Sequence, residues 1–562
     1  MATLYSSVAL PACSNEKQNA PVDTVENVPD DASESNTLPE GESESDPAIE
    51  GASSRARPHL VVLMLDDVDG PTFDRALSVD LLPNIKKYVV DQGVNFSANY
   101  ATDSICCPSR TTFFTGQYAH NHGVRDITQG SRAIYPDDAT GQGGESTFLP
   151  VDLQSVGYNN ALFGKYLNGY GEETADAQTR IPPGWNQWLA LQGNGTYNMY
   201  EYPYNENGTY KIGGAEDDPT SNVDDPDYQT DFLARQIAAW LSSDRVDPAS
   251  PQFIYMAPTA PHIGVPEARQ LFTYGASFAW PVEPPHRYMG LIDGDPANGE
   301  VPSQDTTSAN FNETDSTFAL KPGWMTQNLR RLTPNNLAAA ATQYKQRLAS
   351  FKGVDDLVGT VAAELEARGM LANTVFIITA DNGFLLGEHR LSEKGVSYEE
   401  AIRVPLVVRT PYSTNKGNGC SLMAANTDLA ATLLDYGQAA SPRVIDGRSL
   451  RPLIATATPT WNRAKVLIEH FQENTGSVVF DIIWPHGTVR TRIGAANTQY
   501  THYQTDEQDV ITREFYDLAT DGAQVNNLQS GLSVDEIAVR DAEVATLQAC
   551  SGDACLAAEN SP

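Results

Sequence analysis

The chain has 562 residues, 40% hydrophobic and 19% charged, enough to bury a large core and to build roughly two or three domains. Its formal net charge of −35 excludes the basic footprint of a nucleic-acid-binding surface, so any cluster of cations becomes informative. No run of about 18 consecutive apolar residues occurs, so no helical membrane span is expected.

Met1 to Ser14 makes a poor signal peptide: it lacks a basic start, and Pro11 interrupts the apolar Val8-Ala9-Leu10. From Glu16 to Glu50 there are eleven acids and one base with few large apolar residues, so residues 1–57 read as a disordered acidic tail. Other features point to export. Asn95, Asn194, Asn207 and Asn312 each head an Asn-x-Ser/Thr sequon for glycosylation. Of the six cysteines, Cys550 and Cys555 are spaced to close a small disulfide loop. The expected location is secreted, or the lumen of the secretory pathway, with only a weak signal at the N-terminus.

Pro58-His-Leu-Val-Val-Leu-Met-Leu65 is a continuous apolar run, the pattern of a strand buried on both faces, and it ends in Asp66-Asp67. Ligands of open α/β sheets gather at the carboxyl ends of strands, so paired acids there suggest a metal site. Asp355-Asp356 differ: they precede an apolar helical pattern and read as charge at a helix start. Next comes Cys106-Cys107-Pro108-Ser109-Arg110, with Thr115-Gly116 following. A helix beginning near Pro108–Ser109 would place Cys106 at an N-terminus that favours an anion. His120 and His122 follow.

Ala161-Leu-Phe-Gly-Lys165-Tyr-Leu-Asn168 and Gln252-Phe-Ile-Tyr-Met-Ala257 are further strands, the second running into Ala260-Pro261-His262. Residues 263–325 lack periodicity and read as a long functional loop, one wall of a pocket. Leu329 to Gly369 is helical. Thr374-Val-Phe-Ile-Ile-Thr379 repeats the first pattern, a buried strand ending in Asp381-Asn382-Gly383, and Gly387-Glu-His389 and Lys394 follow. From about Lys465 short alternating strands replace the α/β rhythm and a helix over Val534–Ala549 follows. The expected division is a catalytic domain at 58–460 and a small C-terminal α+β subdomain with an antiparallel sheet at 461–562.

Taken together, Asp66-Asp67, the Cys106 motif, Gly164-Lys165, Ala260-Pro261-His262, Asp381-Asn382-Gly383 and Lys394 resemble, in order and rough spacing, the type I sulfatases. Within that family the chain looks most like the glucosamine-6-sulfatases and related arylsulfatases. Gly164-Lys-Tyr-Leu-Asn168, Pro183-Gly-Trp185 and Leu547-Gln-Ala-Cys-Ser-Gly-Asp-Ala-Cys555 carry that closer match. The resemblance implies an alkaline-phosphatase-like doubly wound sheet, mostly parallel. It also implies that Cys106 is oxidised to formylglycine by a formylglycine-generating enzyme. One hydroxyl of the hydrated aldehyde then attacks the sulfur of a sulfate ester, and the second expels sulfate from the sulfo-enzyme intermediate.

By the same resemblance Asp66, Asp67, Asp381 and Asn382, with Cys106 itself, surround a metal, Ca2+ with Mg2+ as runner-up. Arg110, Lys165 and Lys394 attract the sulfate, and His262 protonates the leaving oxygen. One departure stands out: Leu167 occupies the place where most members carry a histidine, and His122 or Asn168 is a candidate replacement. His122, Asn168 and His389 are the expected supporting residues. The expected substrate is a small aryl or sugar sulfate, for instance a sulfated N-acetylglucosamine. Alternatives are a phosphate or phosphonate monoester hydrolase on the same scaffold, or a non-catalytic anion-binding protein.

Overall fold

The structure is a computed structural model that describes residues 57–127, 130–135, 144–174, 176–214, 227–264, 278, 280–293, 303–472, 480–504 and 510–561. The acidic tail, residues 1–56, and parts of the 263–325 segment therefore lie outside the described residues.

Ten strands form one mixed sheet. At its centre β1 (His59–Leu65) lies between β3 (Gln252–Ala257) and β4 (Thr374–Ala380), with β2 (Asn159–Gly164) beyond β3, all four parallel. Antiparallel pairs appear toward the edges, Leu406–Arg409 against β4 and Tyr202–Glu206 against Gln187–Leu191. The mostly parallel doubly wound sheet expected from the sequence is present. Side chains alternate across it: Val61, Leu63 and Leu65 join one core, and Leu60, Val62 and Met64 join the other. Both faces are therefore covered, which is why β1 reads as an unbroken apolar run.

The two covering helices matter most for the site. Helix α1 (Cys106–Thr115) packs Phe113 and Phe114 on Tyr255 of β3, with ring centroids 5.3 and 5.0 Å away. Each such ring contributes about 1.5–3 kcal/mol by burial. α1 stops at Gly116, whose φ of 70° is the left-handed C-cap conformation that glycine adopts without strain. On the opposite face lies α2 (Pro334–Ala367), opened by a capping box between Thr333 and Asn336.

Asp355 and Asp356 sit in the middle of α2, which corrects their reading as helix-start charge. Asp355 is buried and accepts hydrogen bonds from Ile85 N (2.8 Å) and Asn84 Nδ2 (3.0 Å), so it caps a different helix, Pro83–Tyr88. Asp356 pairs with Arg287 and Lys352. The described part of 263–325 is not structureless either. It holds the helices Met289–Asp293, Asp315–Phe318 and Gly323–Asn328.

The C-terminal sheet is antiparallel in the order Lys465–His470, His486–Ile493, Ala496–Gln504 and Val510–Asp517. The last strand goes unnoticed in the sequence because Glu514 breaks its apolar pattern. Buried, that carboxylate accepts hydrogen bonds from the hydroxyls of Tyr398 (3.0 Å), Tyr503 (2.7 Å) and Tyr516. Cys550 and Cys555 form a disulfide with Cα atoms 4.9 Å apart. The Cys550 carbonyl accepts from Asn121 Nδ2 (2.9 Å) and His120 (2.9 Å), and Tyr118 donates to Glu559. The C-terminal segment thus grips the residues just beyond α1.

Gly164 ends β2 at φ 113°, and a Cβ there would stand 2.1 Å from the Ala257 carbonyl oxygen. That same oxygen accepts the Lys165 N–H at 2.8 Å. Gly164→Ala is therefore expected to destabilise the protein by about 3 kcal/mol or more, read as a fall in Tm by calorimetry. An unchanged Tm would mean that this turn tolerates a side chain.

Candidate active site

Strand register builds the site. Leu65 pairs with Ala380 across β1 and β4, so Asp66-Asp67 and Asp381-Asn382 leave adjacent parallel strands side by side. The Asp381 N–H continues the ladder to Leu65 O at 3.1 Å. β3 delivers His262, β2 delivers Lys165, and α1 opens with Cys106 at the same carboxyl end of these central strands. Asp67 has φ 63°, a left-handed conformation unusual for a residue with a side chain, and its backbone N–H meets Asp381 Oδ1 at 3.2 Å.

Asp66, Asp67, Asp381, Asn382 and Arg110 are each 0% exposed. Such charges persist inside a protein only when paired. Asp66 meets Lys165 at 2.7 Å and Arg110 at 3.5 Å. Asp381 takes Arg110 Nε at 2.7 Å and the Asn382 N–H at 2.8 Å. Asp67 pairs with Lys394, accepts Asn382 Nδ2 at 2.7 Å, and faces His262 Nε2 at 3.3 Å. His262 Nδ1 lies 2.5 Å from the Ile263 carbonyl, which only accepts, so Nδ1 carries a hydrogen and Nε2 is turned toward the acids. Lys394 Nζ is also 3.0 Å from Cys106 Sγ, which lies 3.8 Å from Asp66 Oδ1.

Burial alone would raise the pKa of Asp66, but Lys165, His262 and Arg110 outweigh it and bring it to about 2. Asp67 is lowered too, with Lys394 and His262 opposing its burial. Burial lowers His262, against the pull of Asp67 and Asp66. It pushes the Cys106 thiol up to about 12, despite Lys165 and Lys394. An unmodified Cys106 is therefore a neutral thiol and a poor nucleophile.

The donor set suits a hard cation. Asp67 Oδ2 and Asn382 Oδ1 are buried without a hydrogen-bond partner, and ligand atoms of Asp66, Asp67, Cys106 and His262 all lie within 4.8 Å of one another. Buried oxygens left unsatisfied beside further carboxylates are what a metal ion would use.

The structure thus brings together Cys106, Arg110, Lys165, His262, Lys394, Asp66, Asp67, Asp381 and Asn382. It does not bring His122 to them. Nδ1 of His122 accepts the Val124 N–H and Nε2 meets Thr112 Oγ1, both at 3.1 Å, so neither ring nitrogen is left for Cys106. His389 stacks on Tyr398 (3.8 Å) and pairs with Glu313 (2.5 Å), bracing the hairpin that carries Lys394. Leu167 is buried in the core, while Asn168 Nδ2 reaches the Tyr197 hydroxyl at 3.0 Å.

Two residues escape sequence reasoning. Arg347, in the middle of α2, donates to the backbone oxygens of Asp67 and Pro261, the latter at 3.2 Å. Tyr197 lies between Lys165 and His262. An arginine within a helical pattern carries no signal of its own. Tyr197 sits in a stretch of Asn, Gly, Thr and Tyr without apolar periodicity, which carries no signal of a buried position.

These features define a class: an α/β protein of alkaline-phosphatase-like fold whose buried strand-end site combines metal-suited oxygens with cations for an anion. The sulfatase family model matches residues 58–439, and the model of the N-sulphoglucosamine sulphohydrolase C-terminal region matches 387–546. Human N-acetylglucosamine-6-sulfatase is 28% identical over 90% of this chain and 87% of its own length. The arylsulfatase of Volvox carteri is 28% identical over 90% and 77%. A solved structure described as a complex with its substrate D-glucosamine-2-N, 6-O-disulfate superposes with a TM-score of 0.63 at 21% identity, covering 88% of this chain and 97% of that one. The chain belongs to the sulfatase family, and it is an enzyme that hydrolyses sulfate esters.

Proposed function

We propose that Cys106 is converted to formylglycine by a formylglycine-generating enzyme and that sulfate monoesters are cleaved there. The observation that carries this reading is the placement of Cys106, held between Lys394 and Asp66 at the opening of α1. Once formed, the hydrated aldehyde supplies one hydroxyl to attack sulfur and a second to release sulfate. Asp66, Asp67, Asp381 and Asn382 would hold the metal, which supplies polarisation of the ester; their hard oxygens suit Ca2+ or Mg2+, and four ligands from the protein itself favour Ca2+, because Mg2+ usually keeps several waters. Arg110, Lys165 and Lys394 attract the sulfate and offset the three carboxylates, each worth on the order of 10²–10³ in rate. Mass spectrometry of the Cys106 peptide from the native host tests the conversion: sulfur replaced by a carbonyl oxygen supports it, and an intact thiol in active enzyme refutes it.

His262 fits the role of proton donor to the leaving oxygen in its protonated form, which Asp67 and Asp66 favour, because its Nε2 faces the reacting cluster. A phenol leaves with a pKa near ~10, whereas a sugar hydroxyl is far less acidic and needs the proton more. His262→Ala is expected to lower kcat/KM on alkyl and sugar sulfates much more than on activated aryl sulfates. Equal losses across a leaving-group series would remove His262 from that role.

The natural substrate in this reading is a sulfated sugar of the N-acetylglucosamine 6-sulfate type, with aryl sulfates as test substrates. Polar groups support it: the cavity of about 210 Å³ beside Lys165 is lined by Asn168, Glu172, Asn194 and Tyr197 among others. The reading divides the chain into a catalytic domain at 58–460 and a C-terminal subdomain at 461–562. It makes the protein a secreted or lumenal glycoprotein, supported by the Cys550–Cys555 disulfide and by sequons whose Asn194 and Asn207 are exposed. Among the described residues no helix is long and apolar enough to cross a membrane.

A further inference from the structure

The Tyr197 ring links two groups of the site. Its centroid is 4.4 Å from that of His262 and 5.0 Å from Lys165 Nζ. The phenol stands on a short 3-10 turn, Asn194–Tyr197, and lines the same cavity as Lys165 and Asn168. Its hydroxyl takes a hydrogen from Asn168 Nδ2 at 3.0 Å, while Asn168 Oδ1 is buried without a partner. A phenol that accepts one hydrogen bond still has its own hydrogen to give, and an amide nitrogen that donates one still has another. Were the amide turned over, the phenol would donate to Asn168 and both amide hydrogens would be spare. Either way the pair holds a donor hydrogen that it does not use on itself, beside a buried ammonium in a polar cavity.

We propose that Tyr197, held by Asn168, is a substrate-positioning residue that gives a hydrogen bond to a sulfate oxygen lodged beside Lys165. Lys165 supplies charge without direction, as a point-like ammonium does. The Tyr197–Asn168 pair supplies direction, and its ring keeps His262 facing the ester. Charge and aimed donor together orient the three non-bridging oxygens, so that the single ester oxygen of the sulfate faces His262. The inference rests on the sulfatase reading but not on the state of Cys106, since an anion can bind before any chemistry.

The test uses the full-length enzyme with two probes, inorganic sulfate by calorimetry and 4-nitrophenyl sulfate in steady state. Tyr197→Phe keeps the ring and removes the donor; Asn168→Ala keeps the phenol and frees it. Each is expected to weaken sulfate binding and to lower kcat/KM about tenfold, the loss of one hydrogen bond to a charged group, with KM carrying the change. The double variant should be no worse than either single one, because both act through one hydrogen bond, and Tm should stay at the wild-type value. Wild-type sulfate affinity and KM in Tyr197→Phe would overturn the proposal, as would multiplicative losses in the double variant or a fall in Tm that accounts for the effect. A wild type that binds sulfate without turnover would count against the formylglycine reading, and the calorimetric comparison would still decide the role of Tyr197.

Discussion

Cys106→Ser is expected to abolish turnover while leaving the fold intact. Cys106 is 2% exposed and its sulfur lies 3.0 Å from Lys394 Nζ and 3.8 Å from Asp66 Oδ1, polar neighbours that a hydroxyl of similar size can also meet. Serine offers one oxygen nucleophile but no second hydroxyl on the same carbon. It can take the sulfuryl group once and then has no internal route to expel it. The expected loss in kcat is on the order of 10⁴ or more, as when a covalent nucleophile is removed from other hydrolases. Two measurements check it: steady-state hydrolysis of 4-nitrophenyl sulfate, and intact mass after exposure to substrate, where a single retained sulfuryl group is expected. Turnover within tenfold of wild type would rule out chemistry through a modified Cys106.

Asp381→Asn is expected to cost about as much as any charged group of the site. The Asp381 carboxylate accepts Arg110 Nε at 2.7 Å and the N–H groups of Asp67 and Asn382 at 3.2 and 2.8 Å. An amide keeps the shape but takes from Arg110, 0% exposed, its nearer carboxylate, leaving Asp66 at 3.5 Å as the other. Breaking such a buried pair costs about 3–5 kcal/mol. It also removes one of the charged oxygens proposed to hold the metal. A fall in kcat/KM of about 10³ is expected, together with a higher Ca2+ concentration needed for half-maximal activity. The matching experiment on the wild type is removal of metal by a chelator, which should abolish activity and be reversed better by Ca2+ than by Mg2+. Activity of the variant within tenfold of wild type, at unchanged Ca2+ demand, would take Asp381 out of the metal site.

The sequence alone determines a good deal here. Buried parallel strands read as continuous apolar runs because both faces of β1 and β4 are covered, and the acids that follow them mark the strand ends. The Cys106 motif is local, and so is the start of α1, so both can be read without tertiary knowledge. What the linear pattern leaves open is which groups meet. The adjacency of Asp66 and Asp381 follows from a register, Leu65 against Ala380, that joins residues more than three hundred positions apart. Asp355 looks like charge at a helix start because periodicity describes one helix at a time, whereas its partners belong to another helix. Glu514 hides a strand because two of its three tyrosine donors lie outside that strand, Tyr398 elsewhere in the chain and Tyr503 across the sheet, while Tyr516 is its neighbour two residues on. Arg347 reaches the backbone of Asp67 only because α2 packs against that face, and Tyr197 meets His262 only because a surface-like loop folds over Lys165. Local chemistry and burial are written into neighbouring residues. Pairing of buried charge is settled by the packing of distant elements, since each charge must find its counterpart wherever the fold delivers one.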